Sequence, residues 1–408
     1  MTSRRNLIKS LSLLPLAGVL KPDFLVKKNA ASKPTKAAKR DYFKELGVRT
    51  FINAAGTYTF MTGSLMREEV KDAYMATSYD FVNYHELQDK VGARLAELLK
   101  CEAATVTSGA AAAITLGTAG TLTGLDAEKA GMLPHLEGTG MKTEVIMQRK
   151  HAIEYAQAIE NCGVKVVYVD TAKELEKAIN KNTAMYYFVN FLNYEGEIQW
   201  QEVLDICQKN GVPTMIDCAA DVPPVENLFR FQQMGFDMVC FSGGKGLRGP
   251  QSAGILMGKK KYIDAARLNA PPFGDTIGRG MKVNKEEIVG MLAAVEDFLS
   301  RDHEADWNLW EGQINLVQNA VKDFEGMTTE IKVPELANVV PTLHLNWDTS
   351  KIKISGDQLK EAMRNGHPSI EIAGGGKNTV SITTWMLKPG QERVVASRLN
   401  EILTQKIT

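Results

Sequence analysis

The chain has 408 residues, 44% of them hydrophobic and 24% charged, and its 48 basic and 48 acidic side chains cancel to a formal net charge of zero. That composition excludes a disordered or fibrous chain and leaves room for one large α/β domain and a smaller one. The charge balance argues against a nucleic-acid-binding face, and no apolar run reaches the length of a membrane-spanning helix.

The first segment, Ser3-Arg4-Arg5-Asn6-Leu7-Ile8-Lys9, pairs two arginines ahead of an apolar stretch, Leu11 to Leu20. This is the pattern of a twin-arginine signal, too short to span a bilayer, and it predicts export to the periplasm. Residues 1–31 are read as the signal segment and residues 32–44 as a polar linker. The twin-arginine route carries folded proteins, which suits an enzyme that must take up a cofactor before export.

From about residue 85 helical and strand patterns alternate. Leu87, Val91, Leu95 and Leu98 recur at helical spacing on a segment ending near Lys100. Seven short β-branched or aromatic runs follow: Ala104–Thr107, Glu144–Met147, Val164–Val169, Met185–Val189, Val212–Asp217, Phe236–Phe241 and Ala253–Met257. Most are separated by enough chain for a crossover helix, which predicts a doubly wound, mainly parallel sheet. Between the last two lie only eleven glycine-rich residues. A parallel crossover needs a dozen or more, so the seventh strand is expected to return antiparallel.

Beyond Pro271-Pro272 the pattern changes. An interrupted helical stretch from Lys285 towards Phe324 leads into strand-like segments at Thr342–Trp347, Ser369–Ile372 and Thr379–Trp385. Helices are expected at Gly356–Arg364 and Gln391–Gln405, and the alternation of Leu343, Leu345 and Trp347 gives one buried face. The division is therefore a large domain over residues 45–272 and a small α+β domain over residues 273–408. The five cysteines form no C-x-x-C pair, and four lie in or beside apolar runs. They read as buried free thiols, with neither a disulfide framework nor a metal site expected.

Three features carry chemistry. Thr107-Ser108-Gly109-Ala110 follows a strand and opens an alanine-rich helix, so its free N–H groups and the Ser108 hydroxyl suit a phosphate, or simply make a tight strand–helix turn. Asp217 ends an apolar strand, where open α/β sheets bind ligands; it is either the partner of a protonated ring nitrogen or a helix cap. Lys245, in Ser242-Gly243-Gly244-Lys245-Gly246, sits between glycines directly after a buried strand. Desolvation there favours a nucleophilic amine; the competing reading is an anion loop, for which the Walker spacing is missing. Phosphate cradle, strand-end acid, then lysine before an antiparallel strand is the order found in pyridoxal-phosphate enzymes of fold type I. In these the cofactor serves as an electron sink, bound through its aldehyde to the lysine.

Four segments sharpen the resemblance: Phe51-Ile52-Asn53-Ala54-Ala55-Gly56-Thr57-Tyr58-Thr59, Ile216-Asp217-Cys218-Ala219-Ala220, Ser242-Gly243-Gly244-Lys245 and Gly278-Arg279-Gly280-Met281-Lys282-Val283. They resemble the selenocysteine-synthase-like branch of fold type I, related to class V aminotransferases, over most of the chain from residue 45. The resemblance implies a cofactor, pyridoxal 5'-phosphate, with Ser108, Gly109, Ala110 and Ser242 toward its phosphate, Asp217 at its ring nitrogen and Lys245 on its aldehyde. It also implies that His151 stacks on the ring, that Asn193 approaches the ring hydroxyl, and that Arg279 contacts an anion across a homodimer or higher oligomer. Tyr58, Tyr84 and His85 become candidates on the substrate side, and Arg364 for a substrate carboxylate.

The reaction expected is a carbon–nitrogen or β-eliminating lyase acting on a small amino acid or amino sugar acid, with Lys245 as the base. A racemase, epimerase or aminotransferase is the alternative. Selenium transfer and a non-catalytic binding role are remote: tRNA-acting members carry a dedicated N-terminal domain where this chain shows a signal-like segment.

Overall fold

The computed structural model describes residues 40–406. The signal segment and most of the linker read from the sequence lie outside the described residues. Residues 40–49 carry one short helix, Tyr42–Glu45, whose first turn is capped by Asp41 accepting from the Lys44 amide.

Residues from Thr50 onward form two sheets. The strands in chain order are β1 (Phe51–Ala54), β2 (Ala103–Thr107), β3 (Glu144–Gln148), β4 (Lys165–Val169), β5 (Thr183–Val189), β6 (Thr214–Asp217), β7 (Met238–Ser242), β8 (Gly254–Gly258), β9 (Met327–Lys332), β10 (Thr342–Trp347), β11 (Ser369–Gly374) and β12 (Thr379–Thr383). The larger sheet has the order β2-β8-β7-β6-β5-β3-β4. All seven sequence-predicted strands are in it, and β8 runs antiparallel to both β2 and β7. The glycine-rich turn after β7 is too short for a helical crossover, so the chain reverses directly.

Both faces of this sheet are covered, which is why β5 is buried along its whole length. The helix Ala110–Thr123 is apolar all round because it lies between the sheet and the helix Lys260–Leu268. Gly120 makes that crossing close: a Cβ there would stand 2.8 Å from the Ala266 nitrogen. The free edge of β2 is closed by one side chain. Gln88 donates to the Val106 carbonyl at 2.9 Å and accepts from the Val106 amide and the Thr105 hydroxyl, so the outward backbone groups of Val106 on this edge strand are satisfied from within.

The smaller sheet has the order β1-β11-β12-β10-β9. Leu343, Leu345 and Trp347 of β10 form its buried face, as the alternation predicts. The division into domains differs from the linear reading in two places. Strand β1, early in the chain, pairs in parallel with β11 and so belongs to the small sheet. The helix Lys285–Ser300 lies past residue 272, yet Ile288, Met291, Ala294, Val295 and Phe298 pack in the large-domain core. Periodicity shows a buried face without showing what buries it. The expected interrupted helix is two helices, Lys285–Ser300 and His303–Asn319, separated at Arg301-Asp302 with Asp302 capping the second. Strand β9 had no counterpart in the sequence reading; only one face of this edge strand is partly covered.

Candidate active site

Sheet register brings the three chemical segments to one edge. Ser242 ends β7 opposite Gly254, and Gly254 lies opposite Thr107 on the next strand. With strands about 4.8 Å apart, Ser108-Gly109 and Ser242 are two strands from each other at the same carboxyl end. On the other side Asp217 ends β6, paired with Cys240 of β7.

Asp217 is 8% exposed and held from two directions. The Tyr187 hydroxyl donates to Oδ2 at 2.9 Å, and the Ala219 amide donates to Oδ1 at 2.9 Å. Burial, with the Asp217 charge beside it, pushes the Tyr187 phenol well above its ordinary range, so it remains a donor. Lys245 stands in the turn after β7, partly buried, on the wall of a cavity of about 500 Å³. Ala220, Tyr58, Phe191, Asn338 and Trp385 share that wall. The next residue, Gly246, admits no side chain: a Cβ would lie 1.9 Å from the Val222 carbonyl oxygen. The turn carrying the amine is therefore pressed against the loop that follows Asp217.

The cradle has the form expected of a phosphate site. Gly109 has a φ of +90° at the start of the helix Ala110–Thr123, a conformation that favours glycine, and leaves the first-turn amides without side-chain caps. The Ser108 hydroxyl donates to the Met281 carbonyl at 3.0 Å. Asn193 is fully buried; its Oδ1 accepts from the Trp200 amide while Nδ2 has no partner. A strand-end acid, a lysine on a cavity wall and uncapped helix amides fit pyridoxal 5'-phosphate.

The remaining predicted residues are distributed more widely. Tyr58 lines the Lys245 cavity. Tyr84 and His85 line a different one, of about 280 Å³, together with Gln88, Arg267 and Phe273. Arg279 is exposed in the 3₁₀ turn Ile277–Gly280, two residues before the Met281 carbonyl that Ser108 contacts. Arg364 makes a two-pronged ion pair with Glu371 at 2.7 and 2.9 Å and is not on the Lys245 cavity wall. His151 is fully buried. Its Nδ1 accepts from the Val189 amide at 3.2 Å, Nε2 lies 3.2 Å from the Leu192 carbonyl, and Phe188 meets the ring edge-on. Burial lowers its pKa to about 4. With no exposed face, the ring is enclosed in the fold rather than open to a cofactor in the cavity.

One residue had no sequence signal. Asp221 is 1% exposed and accepts from Asn190 Nδ2 at 2.6 Å and from the Ala337 amide at 3.2 Å. Next to it the Asn338 amide donates to the Ala220 carbonyl at 2.7 Å. Ala337 and Asn338 both have positive φ, so a strained turn of the small-domain loop is fastened beside Lys245. Burial raises the Asp221 pKa to about 7, against the Asn190 and Ala337 hydrogen bonds and the nearby Lys245 charge. Its only trace in the sequence is an acid four residues past Asp217, which fits no motif.

The aminotransferase class-V family profile matches residues 89–277. The chain is 26% identical over 376 residues to the D-glucosaminate-6-phosphate ammonia lyase of Salmonella typhimurium, covering 88% of this chain and 97% of that one. It is 29% identical over 274 residues to the L-seryl-tRNA(Sec) selenium transferase of Caldanaerobacter subterraneus, covering 61% of this chain and 56% of that one. Among solved structures it is similar to a D-glucosaminate-6-phosphate ammonia-lyase with a TM-score of 0.77 at 25% identity, over 90% of this chain and all of that one.

Proposed function

We propose that the chain, which resembles the selenocysteine-synthase-like branch of fold type I pyridoxal-phosphate enzymes, is a lyase that expels a β-substituent and releases ammonia from an amino acid or amino sugar acid. The observation that carries this is the Lys245 amine on the cavity wall, with the Asp217 carboxylate fixed at the end of the adjoining strand. Similarity to an ammonia lyase along nearly its whole length supports elimination over the racemase and aminotransferase alternatives.

When bound, the cofactor supplies an electron sink for a carbanion at the substrate α-carbon. The protein's own groups do the rest. Asp217, oriented by the Tyr187 hydroxyl and the Ala219 amide, would hold a proton on the cofactor's ring nitrogen. Lys245 would take the α-proton and return it to the departing β-substituent, and water would then hydrolyse the imine tautomer of the released enamine to the keto acid and ammonia. We also propose export by the twin-arginine route, on the Arg4-Arg5 pair and the apolar run after it. A homodimer or larger assembly is proposed too, with Arg279 turned to a neighbouring protomer's anion; exposed Phe60, Tyr79 and Phe81 supply apolar surface for it.

The test is chemical. Purified enzyme is incubated with D- and L-amino acids and amino sugar acids, with no keto acid added. Release of ammonia with a keto product is expected. Scrambled enantiomers without ammonia, or a single stalled half-turnover, would replace elimination by racemisation or transamination.

A further inference from the structure

A third cavity, of about 230 Å³, lies behind the Lys245 turn. Gly246 and Arg248 form one side, and Arg67, Arg301 and Lys388 bring three more cations to it. Two carboxylates face them. Asp306 is in the wall, and Asp297 is shared between Arg301 at 2.6 Å and Arg67 at 3.6 Å. His303 is also in the wall, its Nε2 engaged by the Phe298 carbonyl at 2.8 Å.

Positive charge is therefore in excess. The Arg248 Nε donates to the Leu65 carbonyl at 3.1 Å, a neutral acceptor. Burial, then the charges of Arg67 and Arg301, pull the Arg248 pKa down to about 10 despite Asp306 and Asp297. A purely structural role accounts for some of these contacts, since Arg301 also donates to the Leu247 carbonyl at 3.2 Å. It does not account for three guanidinium groups gathered at one cavity where only Arg67 and Arg301 share a carboxylate, because like charges at close range oppose folding unless an anion joins them.

The other walls are aromatic. Trp310 and Trp385 meet edge to face with centroids 6.3 Å apart, and Trp385 also stands in the wall of the Lys245 cavity. Guanidinium forks match tetrahedral oxyanions, and indole faces accept the C–H groups of a polyhydroxylated chain.

We propose that this pocket, built by Arg67, Arg248, Arg301 and the Trp310–Trp385 pair, binds a phosphate-class oxyanion carried on a short polyhydroxylated chain. The carrier rests on the lyase reading above; the oxyanion affinity does not.

The experiment uses enzyme saturated with its cofactor, so that the Ser108 cradle is already occupied. Calorimetric titration with inorganic phosphate is expected to give binding with a Kd of about 1 mM. Arg248→Gln is expected to weaken it by about tenfold or more while the visible cofactor spectrum stays unchanged. Lys388→Gln, at the same wall, serves as a second variant should Arg248→Gln disturb the turn. Competition between phosphate and a phosphorylated 2-amino sugar acid would identify the pocket as the seat of the substrate's remote phosphate. Phosphate binding without competition would identify a separate effector oxyanion. No phosphate binding at tens of millimolar, or binding unaltered in both variants, overturns the proposal. Phosphate binding without elimination on any substrate leaves the pocket standing and removes only the lyase reading.

Discussion

The Tyr187 hydroxyl reaches across from β5 to donate a 2.9 Å hydrogen bond to Asp217 Oδ2 on the neighbouring strand β6. It fixes the acid from inside the sheet, where burial keeps the phenol protonated. A hydrogen bond to a charged group contributes about 1.5–3 kcal/mol. Tyr187→Phe should therefore weaken pyridoxal-phosphate binding by roughly tenfold or more, read from a visible titration of the apoenzyme. Equal affinity in the two proteins would show that the Asp217 orientation does not depend on this bond.

Lys245 is expected to give a visible absorbance with the cofactor that Lys245→Ala loses while keeping its far-ultraviolet circular dichroism. An unchanged visible spectrum in that variant would remove Lys245 from the aldehyde.

Gly246→Ala tests whether the Lys245 turn depends on its contact with the Val222 carbonyl. A Cβ at 1.9 Å cannot be accommodated without moving backbone, and overpacking of this kind costs about 1–3 kcal/mol. The expected result is a folded protein with a lower melting temperature and impaired cofactor loading. Wild-type loading would mean that the turn yields without displacing the amine.

Two buried groups give opposite pH trends. The Asp221 pKa rises from 3.8 to about 7 in the fold, so its neutral form is favoured there. Its contribution to stability is complete below about pH 4 and is lost as the pH climbs towards 7. Asp221→Asn keeps an acceptor oxygen for Asn190 and Ala337 and carries no charge. Thermal melts between pH 4 and 8 should therefore show a flatter decline in the variant. The same slope in both proteins would place the titration elsewhere.

His151 behaves the other way. Its pKa falls from 6.5 to about 4, so its contribution is complete above pH 6.5 and is lost as the pH drops through 4. His151→Asn should remove part of the acid-side loss of stability. Melts from pH 7 to 3.5 that superimpose for the two proteins would contradict the enclosed, neutral ring.

Much was legible in the sequence because it is written locally. The β-branched runs that became β2 through β8, and the short glycine turn that forces β8 antiparallel, are patterns within a few residues. Ser108, Asp217 and Lys245 come to one edge because each stands at or just past the carboxyl end of a strand in the same sheet.

Side-chain destinations were settled by packing between segments far apart in the chain. Tyr58 reaches the Lys245 cavity and Tyr84 does not, though both lie in the same polar, aromatic stretch. His151 is turned inward by the Val189 amide and the Leu192 carbonyl, some forty residues away. Arg364 is taken up by Glu371 once the helix Gly356–Asn365 packs on β11. Asp221, the crossing of β1 into the small sheet, and the gathering of Arg67, Arg248 and Arg301 depend on the same kind of meeting. Periodicity and spacing report which face of an element is apolar, whereas the neighbour that covers that face is chosen by the packing of the whole chain.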